Sequence, residues 1–553
     1  MNGTWLWLLV PLAPLLGCLA LAIWRERAIG GLWLCCLPAL AAALWPMPEL
    51  FLPWIWEGVR WGGEDPLGRA WLGFSALLWG CAGIFAVSSM AGQAHLLRFW
   101  TCWLLALSGN LLLIIAADAM SFYLGFSLMS LSAYGLIVHN GGPGPRRAGR
   151  LYLQLAILGE MLLLAGLLLR AHDAGGSFDF FGWQALPLDG LTLALLMIGL
   201  GLKAGFWPLH VWLPQAHPAA PAPASAVLSG AMIKAGVLGL WRCLPETDPL
   251  LESLSGPLLL MGMFGAFYGA LLGLCNPRSK AVLAYSSVSQ MGWFVMILAL
   301  IWRHPDQLGV LAAVLMLFGV HHGLAKGALF LAAGMSHESR LPWYAWLLLA
   351  MPALALAGLP LSSGGVAKEA LKEAWYGGEF ALWIPILGIA SVGTALLVLR
   401  ALWLMYQDQP PAPGRRPPLA QWAPWALLSL LPLAMPWLWP ALRTPMMEHL
   451  APADFWGLLW PLLLGLALAV LVIRRGWRVP PRLAQLPQPA LRLSLGTRWL
   501  VLHPPLAELQ PQPDRQRWRR RERAWNRLWR GNALNLSIWL IALLLWLGWA
   551  WRF

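Results

Sequence analysis

Charged residues are scarce in this sequence: Asp, Glu, Lys and Arg make up 11% of its 553 residues, whereas 59% are hydrophobic. Soluble domains carry roughly 25% charged residues. The composition therefore excludes an ordinary soluble domain and is typical of a chain that crosses a membrane many times.

The first apolar segment has no positive charge before it and no small-residue cleavage site after it, so we expect a retained helix rather than a signal peptide.

Motifs for cofactors and nucleotides are missing as well. The seven cysteines are scattered through apolar segments, with no Cys-x-x-Cys pair and no Cys/His ligand spacing, which argues against an iron–sulfur or zinc site. No Walker A motif or dinucleotide fingerprint is present, so ATP hydrolysis and nicotinamide chemistry would belong to other chains. We expect no cofactor, no metal and no redox centre here, and at most a non-catalytic role in an oxidoreductase complex.

Lysine is the rarer cation, with six lysines against thirty-two arginines. A buried ammonium can give up its proton, whereas a guanidinium stays charged. Four lysines lie in or beside apolar segments: Lys203, Lys234, Lys326 and Lys368. A genome bias from Lys to Arg would also make lysine rare, but charges inside a membrane are costly and are usually retained for a function. These four are therefore candidate proton carriers.

Apolar segments long enough to cross a bilayer, about 20 residues, recur along the chain. We predict sixteen of them: 4–24, 29–46, 67–90, 96–118, 120–139, 149–170, 189–208, 222–244, 254–275, 280–302, 309–334, 343–376, 382–406, 419–439, 453–473 and 533–551. Lys and Arg are more frequent in the loops after odd-numbered segments, which predicts an N-terminus outside and a cytoplasmic segment 474–532. That segment holds fourteen arginines, some interleaved with Trp, and we interpret it as lying on anionic lipid or a neighbouring subunit rather than on nucleic acid.

Two predicted segments are interrupted. Proline lacks an N–H and ends helices, and irregular backbone at membrane depth is stable only where it is buried in protein or lines water. The first break, near 203–222, therefore indicates an aqueous path, with Pro208, His210, Pro214, His217 and Pro218 along it. The second break, near 358–368, contains Pro360 and several glycines. Two interrupted spans five segments apart predict inverted five-helix repeats, 96–244 and 254–406.

A polar string in segment eleven adds further candidates, His321, His322 and Lys326. His322 and Lys326 are four residues apart and share one face of a helix. A single histidine on an apolar helix is usually structural, but histidine exchanges protons near neutral pH. Several polar groups so close together favour a proton relay.

The stretches KAGFWPLHVWLPQAHPAAPAPASAVLSGAMIKAG, AVLAYSSVSQMGW and LAKGALFLAAGMSH resemble the antiporter-like subunits of respiratory complex I and its relatives, over roughly residues 60–410. The amino-acid sequence of these stretches is most similar to the large membrane subunits of hydrogenase-4 and formate hydrogenlyase-type complexes, component B among them. Mrp antiporters are nearly as similar. The resemblance implies an all-α polytopic membrane protein of the bacterial inner membrane, with about fourteen core helices. It also implies that the four lysines carry protons.

The resulting division of the chain has six parts. Residues 1–95 form N-terminal transmembrane helices, and the two repeats follow. Residues 407–473 form C-terminal transmembrane helices, residues 474–532 form the basic cytoplasmic segment, and residues 533–553 contain a final transmembrane helix.

One position departs from the family. Such subunits usually have a glutamate in segment five, where this chain has Ser127. Glu160 lies near the middle of segment six without a local partner, and an unpaired buried carboxylate is costly. We therefore expect Glu160 to pair with Lys203. The alternative is a chain that has lost coupling and serves only as a scaffold.

Two functions fit these observations. The first is a proton-translocating subunit of a redox complex of the NADH-quinone oxidoreductase or hydrogenase type, with other membrane subunits and peripheral redox subunits as partners. The second is a cation/proton antiporter or an ion-gradient-driven uptake module, such as one for inorganic carbon, without redox chemistry. Few carboxylates suit a Na⁺ site, which favours H⁺. The expected path has Glu160 stabilise protonated Lys203, and the proton then passes His322 or Lys326 and Lys234 toward Lys368.

Overall fold

The structure is a computed structural model, and it describes residues 4–373, 383–411, 417–439 and 451–476, together with Leu442 and Met447. In this part of the chain the fold is almost entirely helical, with one two-stranded antiparallel hairpin. The α-helices are α1 (Trp5–Trp24), α2 (Leu37–Leu44), α3 (Pro66–Ser89), α4 (Leu96–Ile115), α5 (Ala119–Ile137), α6 (Pro143–Asp173), α7 (Phe180–Trp183), α8 (Gly190–Ala204), α9 (Leu213–Ala219), α10 (Ala222–Val227), α11 (Lys234–Cys243), α12 (Pro249–Leu274), α13 (Ser279–Arg303), α14 (Leu308–Glu338), α15 (Trp343–Ala357), α16 (Ser363–Glu373), α17 (Ile384–Gln407), α18 (Leu419–Leu438) and α19 (Pro452–Arg474).

Short elements of other kinds join some of these helices. They are two 3₁₀ helices, Arg25–Cys36 and Pro305–Gln307, a π-helix, Leu228–Met232, and the strands β1 (Leu50–Phe51) and β2 (Arg60–Trp61). The π-helix lies between α10 and α11, so residues 222–243 form one bent rod.

The chain is an all-α polytopic membrane protein. Eleven helical stretches of the described residues are long and apolar enough to cross a bilayer, and α8 and α15 are shorter apolar helices. Each of the first fifteen predicted segments contains a helix; the sixteenth, 533–551, lies outside the described residues. Segment two differs from the expected single helix, because a 3₁₀ helix containing Gly30 and Gly31 precedes the short α2. Glycine weakens an α-helix by about 1 kcal/mol relative to alanine.

Both predicted helix breaks are confirmed. α8 ends at Ala204 and α15 at Ala357, and each is followed by a glycine with positive φ, Gly205 at 71° and Gly358 at 101°. Glycine adopts this left-handed conformation at little cost, which lets the chain turn away from the helix axis. The backbone resumes as α9 after the first break and as α16 after the second. The inverted relation of the two repeats and the domain boundaries remain predictions.

The prolines of the first break have different positions. Pro208 lies in the irregular backbone between α8 and α9, and its peptide bond with Trp207 is cis. Pro214 and Pro218 belong to α9, one in its first turn and the other near its end. Pro360 lies in the turn between α15 and α16. The irregular backbone is therefore shorter than 203–222.

The helices that surround the two breaks form the interior of the fold. Every residue of the most apolar window of α13 is buried inside the protein, and the rod 222–243 is almost as enclosed. α14 packs against α3, α10, α13 and α16, and α11 packs against α8. The segments that carry the candidate lysines therefore meet in the centre rather than at a surface.

Two arginines, one buried and one half-buried, donate hydrogen bonds to carbonyls at or just beyond helix ends. Arg170, fully buried in α6, donates hydrogen bonds to the carbonyls of Trp183, Leu186 and Pro187 at 2.5, 2.9 and 2.7 Å. Arg242, at the end of α11, donates to the three carbonyls at the end of α4, namely Leu113, Ile114 and Ala116. Carbonyls at helix C-termini lack partners within the helix, so these guanidinium groups have a structural role.

Candidate functional site: buried lysines and histidines

The four candidate lysines are all buried, with between 0% and 6% of each residue exposed. They fall into two groups. Lys203 lies beside Glu160, and the other three lie with two histidines in what we call the central cluster: Lys234, His321, His322, Lys326 and Lys368. The sequence had placed all of them on one path, and the structure brings the members of the central cluster together.

Lys203 is held by two hydroxyl groups. Its Nζ donates to Ser130 Oγ at 2.8 Å and to Tyr152 Oη at 3.3 Å. Glu160, 4% exposed, lies in electrostatic contact with Lys203 and beside the hydroxyls of Ser127 and Ser130. Among the described residues the two groups do not form a direct ion pair, and the pairing of Glu160 with Lys203 in transport remains a prediction. Ser127, at the position of the family glutamate, faces the same carboxylate.

Close packing of α6 on α8 explains this proximity. A Cβ added at Gly199 would lie 2.8 Å from the backbone nitrogen of Leu163 and 2.9 Å from the carbonyl oxygen of Gly159. Small residues let two membrane helices approach until their backbones touch. Glu160, next to Gly159, is thereby brought to the level of Lys203. A cavity of about 10 Å³ beside the lysine offers roughly the space that one water molecule requires.

Lys234 follows the π-helix directly and bonds back onto it. Its Nζ donates to the carbonyl of Ser229 at 3.0 Å and makes a short contact with the carbonyl of Gly230. A π-turn shifts the helical hydrogen-bond register, and such turns are frequent at functional sites. The ammonium also lies 5.9 Å above the ring of Phe74. Lys234 is therefore held by neutral oxygens and a π-face.

His322 is close enough to Lys234 and Lys326 to interact electrostatically with both. The charges of both lysines act on its ring, and neither ring nitrogen has a hydrogen-bond partner among the described residues. Lys326 Nζ donates to the carbonyl of Leu283 on α13 at 2.8 Å. The expected shared face of His322 and Lys326 exists, because α14 is one continuous helix across both.

His321 faces the second helix break. Its Nδ1 is 2.7 Å from Ser363 Oγ at the start of α16, and the charges of Lys368 and Lys234 both act on it. Lys368 Nζ donates to the carbonyl of Ala357, the last residue of α15, at 2.9 Å. The same nitrogen reaches Ser391 Oγ at 3.3 Å and lies 5.2 Å above the ring of Trp293. The two adjacent histidines thus connect Lys234 to two different lysines.

The histidines of the first break differ in their surroundings. His217 is fully buried against the ring of Phe330, with centroids 4.8 Å apart, and the charges of Lys326 and Lys280 act on it. His210 packs against the ring of Tyr268 at 5.0 Å, away from the central cluster. Only His217 is therefore positioned to extend the cluster.

A cavity of about 360 Å³ lies beside the segment that follows His217. Its wall includes Pro218, Pro221, Lys280 and Glu338, and Lys280 Nζ donates to the carbonyl of Ala220 in the helix break at 2.9 Å. Glu338 and Lys280 attract each other electrostatically. The end of α14 therefore forms part of the cavity wall, through Gly334, Ser336 and Glu338.

Sequence reasoning missed the neutral residues that contact the candidate lysines, His321 or one another. They are Ser130, Tyr152, Ser229, Ser287, Ser363, Ser391 and Trp293. The only available signal was the run of serines in AYSSVSQ within an apolar segment. Among the described residues no group of three or more His, Cys, Asp or Glu side chains lies close enough to hold a metal ion.

Comparison with known proteins agrees with this architecture. Residues 116–379 match the family model described as NADH:quinone oxidoreductase/Mrp antiporter, transmembrane region. Hydrogenase-4 component B of Escherichia coli is 31% identical over 316 residues, which cover 52% of this chain and 45% of that protein. The chain thus spans about half the length of this curated relative.

Solved structures show the same fold at lower identity. One is a chain of the Mrp complex from Dietzia sp., with a TM-score of 0.64, and another is a chain of the membrane-bound sulfane sulfur reductase, an archaeal respiratory membrane complex, with a TM-score of 0.66. Each is 20% identical, and the matches cover 82% of this chain and 98% and 97% of those chains. The chain is therefore similar to antiporter-like membrane proteins of the NADH:quinone oxidoreductase, hydrogenase-4 and Mrp type, and the family match covers residues 116–379.

Proposed function

We propose that this chain translocates protons across the membrane as one subunit of a multi-subunit complex, by exchange of protons among its buried lysines and histidines. The observation that carries the proposal is the bonding of the four lysines. Each donates only to backbone carbonyls or hydroxyl groups, and none is in an ion pair within the described part of the chain. A lysine without a bound carboxylate can lose its proton at a smaller electrostatic cost.

The proposed path begins at the 360 Å³ cavity. Water in this cavity reaches Lys280, whose charge acts on His217, and from there a proton passes by way of His217 to Lys326. His322 connects Lys326 to Lys234, and His321 connects Lys234 to Lys368. Histidine suits both connections because its two nitrogens can accept a proton on one side and release one on the other.

Glu160 and Lys203 form the second part of the proposal. A cation at Lys203 is stabilised by the Glu160 carboxylate. The helix that carries Lys203, α8, contacts the helix that begins with Lys234, α11, because Gly236 of α11 packs against Leu200 and Ala204 of α8. The charge state of Lys203 thereby influences Lys234 through two helices in direct contact. Glu160 takes the role of the glutamate that related subunits usually have at the position of Ser127.

The driving force and the partners follow from the relatives. The name of one relative denotes a hydrogenase component, which supports a redox-driven complex with other membrane subunits and with peripheral redox subunits, in a bacterial inner membrane. A cation/proton antiporter or uptake module is the second candidate, because the matching family model covers Mrp antiporters as well. Purification of the native complex distinguishes the two: iron–sulfur or nickel–iron subunits in it support the first candidate, and small multi-span subunits alone support the second.

Proton movement itself is tested with Lys326→Ala in sealed membrane vesicles that contain a pH-sensitive dye. We expect acidification to fall at least tenfold while the amount of assembled complex is unchanged. Lys326→Arg is the matched variant: it keeps the charge but holds its proton, so it should fail as well. Normal acidification by both variants would contradict the proposal.

A further inference from the structure

Two buried serines occupy the space between Lys234 and Lys326. Ser229 Oγ and Ser287 Oγ are 2.8 Å apart, and either can be the donor. Ser287 Oγ also lies 3.2 Å from the carbonyl of Leu283, the same carbonyl that accepts from Lys326. The carbonyl of Ser229 accepts from Lys234. Hydrogen bonds, together with the covalent bonds within Ser229, thus join the two ammonium groups.

The backbone brings these serines together through two features. Ser229 belongs to the π-helix, and the adjacent Gly230 packs so closely on α14 that a Cβ there would lie 2.9 Å from the carbonyl of Gly323. Ser287 lies on α13, whose most apolar window is wholly buried. Both serines are fully buried, and buried hydroxyls need partners. Ser286, next in sequence, has a buried hydroxyl without a hydrogen-bond partner in the described structure, so pairing is not a general property of the serines on α13.

We propose that the Ser229–Ser287 hydroxyl pair couples the charge states of Lys234 and Lys326. This inference rests on the proposed function. The two serines are positioning residues, because they act through the lysines and do not carry the proton from one lysine to the other.

The coupling follows from competition for the Leu283 carbonyl. A charged ammonium is a stronger donor than a neutral amine. When Lys326 is protonated it holds this carbonyl, and Ser287 turns its hydrogen toward Ser229. When Lys326 is neutral, Ser287 donates to the carbonyl and accepts from Ser229. Each change in the protonation of Lys326 therefore reverses the orientation of the Ser229 hydroxyl. The carbonyl of the same residue accepts the hydrogen bond from Lys234.

Direct electrostatic repulsion between the two lysines also couples their charge states, since the charge of Lys326 acts on Lys234. The hydroxyl pair adds a hydrogen-bond arrangement specific to each charge state. Two discrete arrangements of a buried network are what a coupling element requires.

The test uses Ser229→Ala, Ser287→Ala and the double variant in the intact complex, with Ser286→Ala as the matched control. We expect each single variant to slow vesicle acidification by up to about tenfold, the upper end for loss of one neutral hydrogen bond. The double variant should be little slower than either single one, because the hydroxyls act as one unit. Ser286→Ala should stay within about twofold of the wild type. Rates are expressed per assembled complex, so that any loss of folding is accounted for.

Ser287→Gly separates coupling from packing. Glycine leaves room for a water molecule that can bridge Ser229 and the Leu283 carbonyl, so acidification should partly recover relative to Ser287→Ala. A packing role predicts the opposite order, because glycine leaves a larger cavity and weakens the helix.

Three results would overturn the proposal: normal acidification by Ser287→Ala, multiplied effects in the double variant, or a Ser287→Gly variant slower than Ser287→Ala. Its failure is distinct from failure of the proposed function. If Lys326→Ala is inactive and Ser287→Ala is normal, only the coupling is wrong. If Lys326→Ala is itself normal, the proposed function is wrong.

Discussion

The charge pair formed by Glu160 and Lys203 allows a sharp prediction. Both residues are buried, at 4% and 6% exposure, and Lys203 also donates hydrogen bonds to Ser130 and Tyr152. Two opposite charges about 6 Å apart at an effective dielectric constant of about 20 attract by roughly 3 kcal/mol. Since 1.36 kcal/mol is a factor of ten, loss of this attraction slows transfer by up to about a hundredfold.

The perturbation is a double-mutant cycle with Glu160→Gln, Lys203→Met and both together. Glutamine keeps the size of the side chain, so the change is one of charge. Each single variant should acidify vesicles about ten- to a hundredfold more slowly than the wild type. The double variant should be little worse than either, because removal of one partner already leaves the other uncompensated. Glu246→Gln, at an exposed position, controls for the change in net charge and should have no effect.

A further variant tests whether a carboxylate at a neighbouring position can restore the activity that Glu160→Gln loses. Ser127 lies beside Glu160, so Ser127→Glu in the Glu160→Gln background places a carboxylate in the same region and should restore part of the activity. The account of Glu160 as the relocated glutamate is refuted if Glu160→Gln transports normally, or if the effects of the single variants multiply. A scaffold role for the chain would then be favoured.

Three further predictions concern packing and assembly. Gly364→Ala should lower stability by about 1 to 3 kcal/mol or more, because the added Cβ would overlap the backbone carbonyl oxygen of Ala355. It should also slow transport, because the same Cβ would lie 2.8 Å from His321 Nε2. In thermal unfolding the control Gly309→Ala, with no atom within 4 Å, should be neutral or stabilising. Arg170→Leu should lower the unfolding free energy by about 3 kcal/mol yet leave transport per folded molecule unchanged, which a paired stability and vesicle assay checks. A chain that ends after residue 475 should be lost from the purified complex if the basic segment holds the subunit to its neighbour; retention at the normal level would refute that role.

Sequence alone predicted the features that depend on local chemistry. The two helix breaks follow from glycines and prolines, and the buried lysines follow from charges inside apolar segments. The nearness of Glu160 to Lys203 was expected from the missing family glutamate. Its basis is the backbone contact between Gly159 and Gly199, which no local pattern reveals.

Other features depend on packing between distant segments and could not be predicted. The π-helix before Lys234 has no sequence signature that distinguishes it from an α-helix. Periodicity placed His322 with Lys326 but gave no reason to direct His321 to Ser363, which lies beyond the second break. The pairing of Ser229 with Ser287 arises only where the bent rod 222–243 meets α13. The basic segment 474–532 and the final segment 533–551 lie outside the residues that the structure describes.

Proton exchange at Lys234 is the most direct test of the central claim, because this lysine is adjacent to both histidines of the cluster. Lys234→Ala and Lys234→Arg are compared in sealed vesicles, with assembly checked on the purified complex. The account predicts that both variants assemble and that neither acidifies the vesicles, since arginine supplies the charge but does not release the proton. Near-normal acidification by either variant would contradict the account.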